Sequence, residues 1–240
     1  EGEDKILIAE HFHDAGADLP GDGWHGTMNY AAFLRPVLSW LIGEDFQTFT
    51  SENPIPLPKS TAIEMVDAIE EFSARMPWRS RLSSWTLLGS HDTARVRSIV
   101  GDHSHQLAAL GLLIGLPGTP MVFMGDEIGA EGLWGESARS TMPWNLNFAS
   151  QETFQAYCTL LHLRRKEPAL ASGGLRWITI TEDAVIFERR LGDDAVYVAV
   201  ARSRAEVHLG ELRVNEILYA GAVLRHSKLA FDSAGMMMWR

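Results

Sequence analysis

Three short apolar runs in this sequence each end in a cluster of ionisable residues. The runs and their clusters are Ile6-Leu7-Ile8-Ala9 before Glu10, Ser84-Trp85-Thr86-Leu87-Leu88 before His91 and Asp92, and Met121-Val122-Phe123-Met124 before Asp126 and Glu127. Runs this short and this apolar are typical of strands that are covered on both faces. Because parallel strands end at one edge of a sheet or barrel, the pattern predicts a parallel α/β architecture with a polar site at that edge.

Segments of helical periodicity separate these runs. The predicted helices cover residues 31–43, 61–75, 91–101, 104–116 and 151–166, and a further short strand is predicted at 27–30. Thr61 and Glu64 have the spacing of a capping box, and Ser150 is the expected cap of the last helix. Pro36 predicts a break or an early start in the first helix.

The pattern changes after Pro168, where β-branched runs follow one another closely. Residues 175–180, 184–191 and 195–201 are predicted strands, with a turn at Gly192-Asp193-Asp194. The fold class predicted is therefore α/β plus all-β. The α/β part covers residues 1–168, and a small antiparallel β domain covers residues 169–240.

Composition narrows the functional classes. A formal net charge of −10 over 240 residues argues against binding to nucleic acid, whose phosphates would be repelled. Cys158 is the only cysteine, so an internal disulfide is excluded, and no apolar run has membrane-spanning length. The charged start at Glu1 predicts no signal peptide. A cytoplasmic location is expected from the single cysteine and from the resemblance described below. Most of the eight tryptophans are expected in the core, with Trp134 and Trp144 in loops.

Carboxylates at the ends of two strands of a barrel are the equipment for cleaving a glycosidic bond. One carboxyl donates a proton to the leaving oxygen, while others stabilise or trap the positively charged sugar. The run Ser90-His91-Asp92 also suits the cap of a helix that starts near Thr93, so this stretch alone leaves both interpretations open.

Four segments in order resemble the motifs of the α-amylase family of glycoside hydrolases, in particular the neopullulanase, cyclomaltodextrinase and maltodextrin glucosidase branch. They are Ile8-Ala9-Glu10-His11-Phe12-His13-Asp14-Ala15, Gly21-Asp22 through Met28-Asn29-Tyr30, Leu87-Leu88-Gly89-Ser90-His91-Asp92-Thr93 with Arg95, and Gly118-Thr119-Pro120 through Gly125-Asp126-Glu127-Ile128-Gly129. Arg139 and Met142-Pro143-Trp144 match the loop that follows them.

The resemblance implies strands five to eight of a TIM (β/α)8 barrel, followed by a small antiparallel β-sandwich. It implies that Glu10 is the general acid/base and that Asp92 stabilises the transition state. His91 would hydrogen-bond the same sugar, and His11 would lie near the leaving group or only face solvent. Asp126 and Glu127 are interpreted as structural. No metal or cofactor is expected, calcium being possible only in the first half of the barrel, and the substrate would be an α-glucan oligosaccharide.

The family's nucleophile is an Asp at the end of the fourth strand, and no Gly-x-Arg-x-Asp motif occurs in this sequence. We therefore expect a C-terminal half that is inactive alone and that needs the N-terminal half of the barrel as its partner. A homodimer through the open barrel edges is a further expectation. The alternatives are a non-catalytic carbohydrate-binding or assembly subunit and a transglucosidase such as a trehalose synthase. The joint presence of Glu10, His91 and Asp92 argues against the non-catalytic alternative.

Overall fold

The computed structural model describes residues 5–20, 23–46, 57–149 and 151–240. Four expectations fall wholly or partly outside these residues. They concern the charged start at Glu1, the motif residues Gly21 and Asp22, the helix cap Ser150, and the connection over residues 47–59, of which 47–56 are not described.

Four short parallel strands form the frame of the first half of the chain. They are β1 (Ile8–Ala9), β2 (Gly26–Thr27), β3 (Trp85–Leu87) and β4 (Thr119–Met121). β1 pairs with β2 and β3 with β4, both in parallel, and a parallel bridge between Met28 and Trp85 joins the two pairs. The predicted parallel arrangement is therefore present, although β4 begins two residues earlier than predicted.

Seven helices accompany these strands in the described residues. They are α1 (Arg35–Leu41), α2 (Ala62–Ser73), α3 (Trp78–Ser83), α4 (Val96–Val100), α5 (His103–Gly115), α6 (Glu152–Lys166) and α7 (Pro168–Ser172). The capping box of α2 is confirmed, since Thr61 N donates to Glu64 Oε2 at 2.7 Å and Glu64 N to Thr61 Oγ1 at 3.2 Å. A π-helical turn at Tyr30–Leu34 precedes α1, which is the irregularity that Pro36 predicts.

The helix predicted over residues 91–101 is present only as α4. Ser90 and Thr93 form a local turn instead, in which Asp92 N donates to Ser90 Oγ at 3.1 Å and Ser90 N to Thr93 Oγ1 at 2.8 Å. Hydroxyl side chains that bind nearby backbone groups compete with helix formation in this way. The helix cap is Arg95, so the interpretation of Ser90-His91-Asp92 as a cap is wrong.

The last third of the chain forms antiparallel sheets, as predicted. Its strands are β5 (Gly174–Ile180), β6 (Ala184–Leu191), β7 (Asp194–Ala201), β8 (Ala205–His208), β9 (Ile217–Tyr219), β10 (Val223–Arg225), β11 (Lys228–Phe231) and β12 (Gly235–Trp239). One sheet has the order β5-β6-β7-β12-β9 and the other the order β10-β11-β8. A buried apolar cluster contains residues of both sheets, among them Ile186, Leu229 and Trp239.

Helix α5 packs closely against the five-stranded sheet. A β-carbon on Gly115 would lie 2.6 Å from Phe187 Cζ, and one on Gly111 would lie 2.7 Å from Met236 Cβ. Glycine at these positions allows the helix to lie directly on the sheet. One apolar cluster therefore runs across the predicted boundary at residue 168, and the division into two domains stays a prediction.

Two buried arginines bind the carbonyl groups at and after the end of α5. Arg189 donates to Gly115 O at 2.6 Å and to Gly173 O at 2.7 Å, and Arg164 donates to Leu116 O at 2.9 Å and to Gly118 O. Burial lowers the pKa of Arg189 to about 9 and that of Arg164 to about 10. These cations complement the partial negative charge at the helix C-terminus.

The tryptophans do not follow the expectation that most of them lie in the core. Trp40 and Trp239 are fully buried, whereas four others are more than a third exposed, namely Trp24, Trp78, Trp85 and Trp144. An indole is large and is seldom completely enclosed, so its apolar character alone is a poor guide to burial. None of the described helices combines the length and the apolar character needed to cross a membrane.

We predict that Gly115→Ala lowers the free energy of unfolding by about 1–2 kcal/mol, because the new methyl group overlaps the enclosed ring of Phe187. Urea denaturation measures this loss. In a Phe187→Leu background, which removes the end of the ring, the same substitution should cost much less. An equal cost in both backgrounds would show that contact with the Phe187 ring is not the reason why a side chain at position 115 destabilises the fold.

Candidate active site

Glu10, His91 and Asp92 lie together although 81 residues separate the first two in sequence. Glu10 directly follows β1, and the other two follow β3. His91 Nε2 lies 3.3 Å from Asp92 Oδ2 and 3.7 Å from Glu10 Oε1. The side chains of Glu10 and His91 are each about half exposed, at 53% and 54%. The three side chains thus form a polar group that a ligand reaches from solvent, with the imidazole between two carboxylates.

Arg139 holds the second oxygen of Asp92. Its Nη2 donates to Asp92 Oδ1 at 3.1 Å, and its Nε donates to His91 O at 2.7 Å. The sequence placed Arg139 in the loop after the fourth motif but gave it no function. Only the fold brings it here, because 47 residues separate it from Asp92. Arg139 therefore fixes one oxygen of Asp92, and His91 Nε2 lies near the other.

Tyr30 supports the turn that carries His91 and Asp92. Its hydroxyl donates to Ser90 Oγ at 2.9 Å, and Ser90 Oγ also accepts from Asp92 N at 3.1 Å. The ring of Tyr30 lies against that of Phe12, with 4.4 Å between centroids. Burial raises the pKa of Tyr30, and the nearby charges of Asp92 and Glu10 add to this effect, so the phenol stays neutral and donates.

A buried ion pair lies beneath the ends of β3 and β4. Arg95 is 1% exposed and Asp126 is 2% exposed, and Arg95 Nη1 is 3.5 Å from Asp126 Oδ1. The guanidinium also donates to Met124 O and lies 4.2 Å from the centroid of the Phe123 ring. Burial raises the pKa of Asp126 to about 7, although the charge of Arg95 acts in the opposite direction. This pair joins the segment after β3 to the segment after β4.

His11 lies beside this group and faces away toward other rings. Its Nδ1 accepts from His13 N at 3.2 Å, and its ring centroid is 5.9 Å from that of His13 and 6.3 Å from that of Trp24. Because Nδ1 accepts a hydrogen bond, the neutral imidazole carries its proton on Nε2. A role for His11 at the leaving-group side stays a prediction.

Within the described part of the chain, the spacing of these three side chains would also suit a metal ion. One ligand atom from each of Glu10, His91 and Asp92 lies within 4.8 Å of the others. Carboxylate and imidazole groups also form hydrogen bonds with sugar hydroxyls. In addition, exposed acidic groups often lie close together without holding an ion.

Comparisons with known proteins agree on one family. The profile of the α-amylase catalytic domain matches residues 45–160. The chain is 31% identical over 219 residues to neopullulanase 2 of Thermoactinomyces vulgaris and 28% identical over 228 residues to the amylopullulanase of Thermoanaerobacterium thermosulfurigenes. These alignments cover 89% and 83% of this chain.

The structural comparison covers nearly the whole chain. The native debranching enzyme of Nostoc punctiforme superimposes with a TM-score of 0.85 at 27% sequence identity, over 98% of this chain. All of these proteins are longer. The chain spans 51% of that debranching enzyme, 34% of the neopullulanase and 12% of the amylopullulanase.

We predict that Arg95→Met lowers the free energy of unfolding by about 1–2 kcal/mol at pH 8, because the variant must keep Asp126 protonated at a pH where the unmodified protein ionises it beside its cation. The folded protein holds a proton on Asp126 more tightly than the unfolded chain does. The loss should therefore be small between about pH 4 and 7, where Asp126 stays protonated in both folded proteins, and should grow above about pH 7, where only the unmodified protein ionises it. Urea denaturation across this pH range measures it.

The double variant Arg95→Met/Asp126→Asn serves as the control, since it removes both charges. It should be more stable than Arg95→Met at pH 8 and should lose the pH dependence. A double variant no more stable than the single one at pH 8 would contradict a role for the ion pair.

Proposed function

Since the chain belongs to the α-amylase family of glycoside hydrolases, we propose that it carries the acid/base side of a retaining active site that cleaves α-glucosidic bonds in maltodextrins or related α-glucans. The observation that carries the proposal is the convergence of Glu10, His91 and Asp92 at the ends of two parallel strands. The names of its relatives, which include neopullulanase, cyclomaltodextrinase and debranching enzyme, support the substrate class.

Glu10 is the general acid in this proposal. Its carboxyl group donates a proton to the oxygen of the bond being broken, so that the leaving sugar departs as a neutral alcohol. The resulting carboxylate then removes a proton from the water that releases the sugar from the enzyme. The half-exposed position of Glu10 supports both steps, because a glycosidic oxygen and a water molecule can reach the same side chain.

Asp92 and His91 hold the sugar whose bond is cleaved. Asp92 accepts hydrogen bonds from sugar hydroxyls, and these bonds strengthen as positive charge develops on the ring. Arg139 keeps the Asp92 carboxylate in place before the substrate arrives, so little reorganisation is needed. His91 lies between the two acids and presents its Nε2 to the same sugar.

Retention also needs a nucleophile about 5 Å from the acid. An oxygen of Asp92 lies within 4.8 Å of one of Glu10, which satisfies this separation. However, Arg139 donates to one oxygen of Asp92, which makes the carboxylate a poorer nucleophile. We therefore propose that a carboxylate from outside this chain attacks the sugar and that the chain alone is inactive.

The finer description of the fold belongs to the same proposal. β1 to β4 are strands five to eight of a (β/α)8 barrel, the remaining strands come from an N-terminal half, and the two C-terminal sheets form a β-sandwich. The order and the parallel pairing of β1 to β4 support this assignment, as does the span of about half the Nostoc punctiforme enzyme.

We predict that the chain alone does not hydrolyse p-nitrophenyl α-glucoside or maltotriose. When it is fused behind strands one to four of neopullulanase 2 from Thermoactinomyces vulgaris, activity should appear. Glu10→Gln and Asp92→Asn should each lower kcat/KM of this fusion at least about 1,000-fold, since general acid catalysis and electrostatic stabilisation each contribute factors near this size.

Glu71→Gln is the matched control, because it removes an exposed carboxylate on α2 and should leave kcat/KM unchanged. Circular dichroism and urea denaturation verify that each variant folds. Activity of the chain alone would contradict the proposal, because it would require a nucleophile within this chain. Activity of the fusion that survives Glu10→Gln would contradict the role of Glu10.

A further inference from the structure

An open cavity of about 1130 Å³ lies beside α4 and is separate from the group formed by Glu10, His91 and Asp92. Three segments line it, namely residues 43–46 after α1, residues 97–99 and 101 at the end of α4, and residues 131–134 and 137 after β4. Two hydrogen bonds join these walls, because Gly43 N donates to Ile99 O at 2.9 Å and Gly132 N donates to Ser98 Oγ at 2.9 Å. The cavity is therefore part of the fold.

Aromatic rings and carboxylates share its lining. Phe46 and Trp134 both line the cavity, with 6.4 Å between their ring centroids. Glu44, Asp45 and Glu131 are exposed at its walls. An aromatic face that packs on the C–H face of a sugar, with carboxylates that accept its hydroxyl protons, is a combination suited to carbohydrate.

The charge of the lining selects among ligands. Arg97 is the cation of this lining, and its guanidinium is engaged by Gln106 Oε1 at 2.9 Å and Thr153 Oγ1 at 3.1 Å. The lining therefore carries three carboxylates and one arginine, and that arginine already has hydrogen-bond partners. Such a lining repels phosphates and other anions. A metal ion would use the carboxylates but would gain nothing from the rings. A neutral polyhydroxyl ligand uses both.

We infer that this cavity is a second α-glucan site, which binds two or three glucose units without cleaving them. The choice of an α-glucan as ligand rests on the proposed function. The short 3₁₀ turn Gly135–Arg139 connects the two sites, since Ser137 lines the cavity and Arg139 binds Asp92. A glucan held here would therefore lie close to the catalytic group and raise the local concentration of substrate.

An NMR titration of the chain with maltotriose tests this inference directly. The signal to follow is the indole N–H of Trp134, which the Trp134→Phe variant assigns. The signal should shift and reach saturation. Glu131→Gln and Asp45→Asn should each weaken the apparent affinity about tenfold, because each removes a charged acceptor of hydroxyl protons. Glu136→Gln is the control, since Glu136 is exposed on the same turn but does not line the cavity, and it should leave the affinity unchanged.

A second variant separates this site from the catalytic group. In His91→Ala the Trp134 signal should still shift with maltotriose. Loss of the shift in His91→Ala, or a Trp134 signal that calcium chloride moves and maltotriose does not, would overturn the inference. If the His91 imidazole signals of the unmodified chain respond and the Trp134 signal does not, the inference is wrong and the proposed function stands. If neither responds, both are wrong.

Discussion

The buried contact between Arg95 and Asp126 is the interaction on which the arrangement of the site depends. It lies under the ends of β3 and β4, where an ion pair removed from water is favourable only if further partners satisfy it. Arg95 has two such partners, the carbonyl of Met124 and the face of the Phe123 ring, while its buried Nε has no hydrogen-bond partner among the described residues. The backbone N–H of Arg95 also donates to Gly132 O at 2.9 Å, which connects the loop after β4 to the same point. That loop continues to Arg139, and Arg139 fixes Asp92. The orientation of the partly exposed Asp92 carboxylate is therefore linked, through this loop, to the pair buried below it.

Arginine side chains that bind backbone carbonyls recur in this structure. Arg139 binds the carbonyl of His91, Arg164 that of Gly118, and Arg189 that of Gly115. The parallel strands are only two or three residues long, so ladder hydrogen bonds alone cannot position the irregular segments that follow them. A guanidinium offers five donors in a fixed plane and reaches several carbonyls at once. In this structure Arg139 fixes the turn after β3, and Arg164 and Arg189 fix the segment between α5 and β4.

The sequence predicted those features that depend on local pattern. β6 has the predicted bounds, and the helix opened by Thr61 begins with the predicted capping box. The sequence also placed an acid after each of these strands, and the fold brings Glu10 and Asp92 together as expected. The sequence did not predict the contact of Arg139 with Asp92, because it joins residues 47 positions apart across an irregular loop. It also overestimated the helix after His91, because the side chains of Ser90 and Thr93 stabilise a turn that periodicity does not show.

The most direct test of the account is a crystal structure of the chain grown with maltotriose. The account predicts a glucose unit at the carboxyl ends of β1 and β3, with hydroxyl groups at hydrogen-bond distance, about 2.6–3.2 Å, from Asp92 and from His91 Nε2, and with the next glycosidic oxygen facing Glu10. Arg139 should keep its contact with Asp92 in this complex. A structure in which maltotriose occupies other sites while Glu10, His91 and Asp92 contact only solvent would contradict the account.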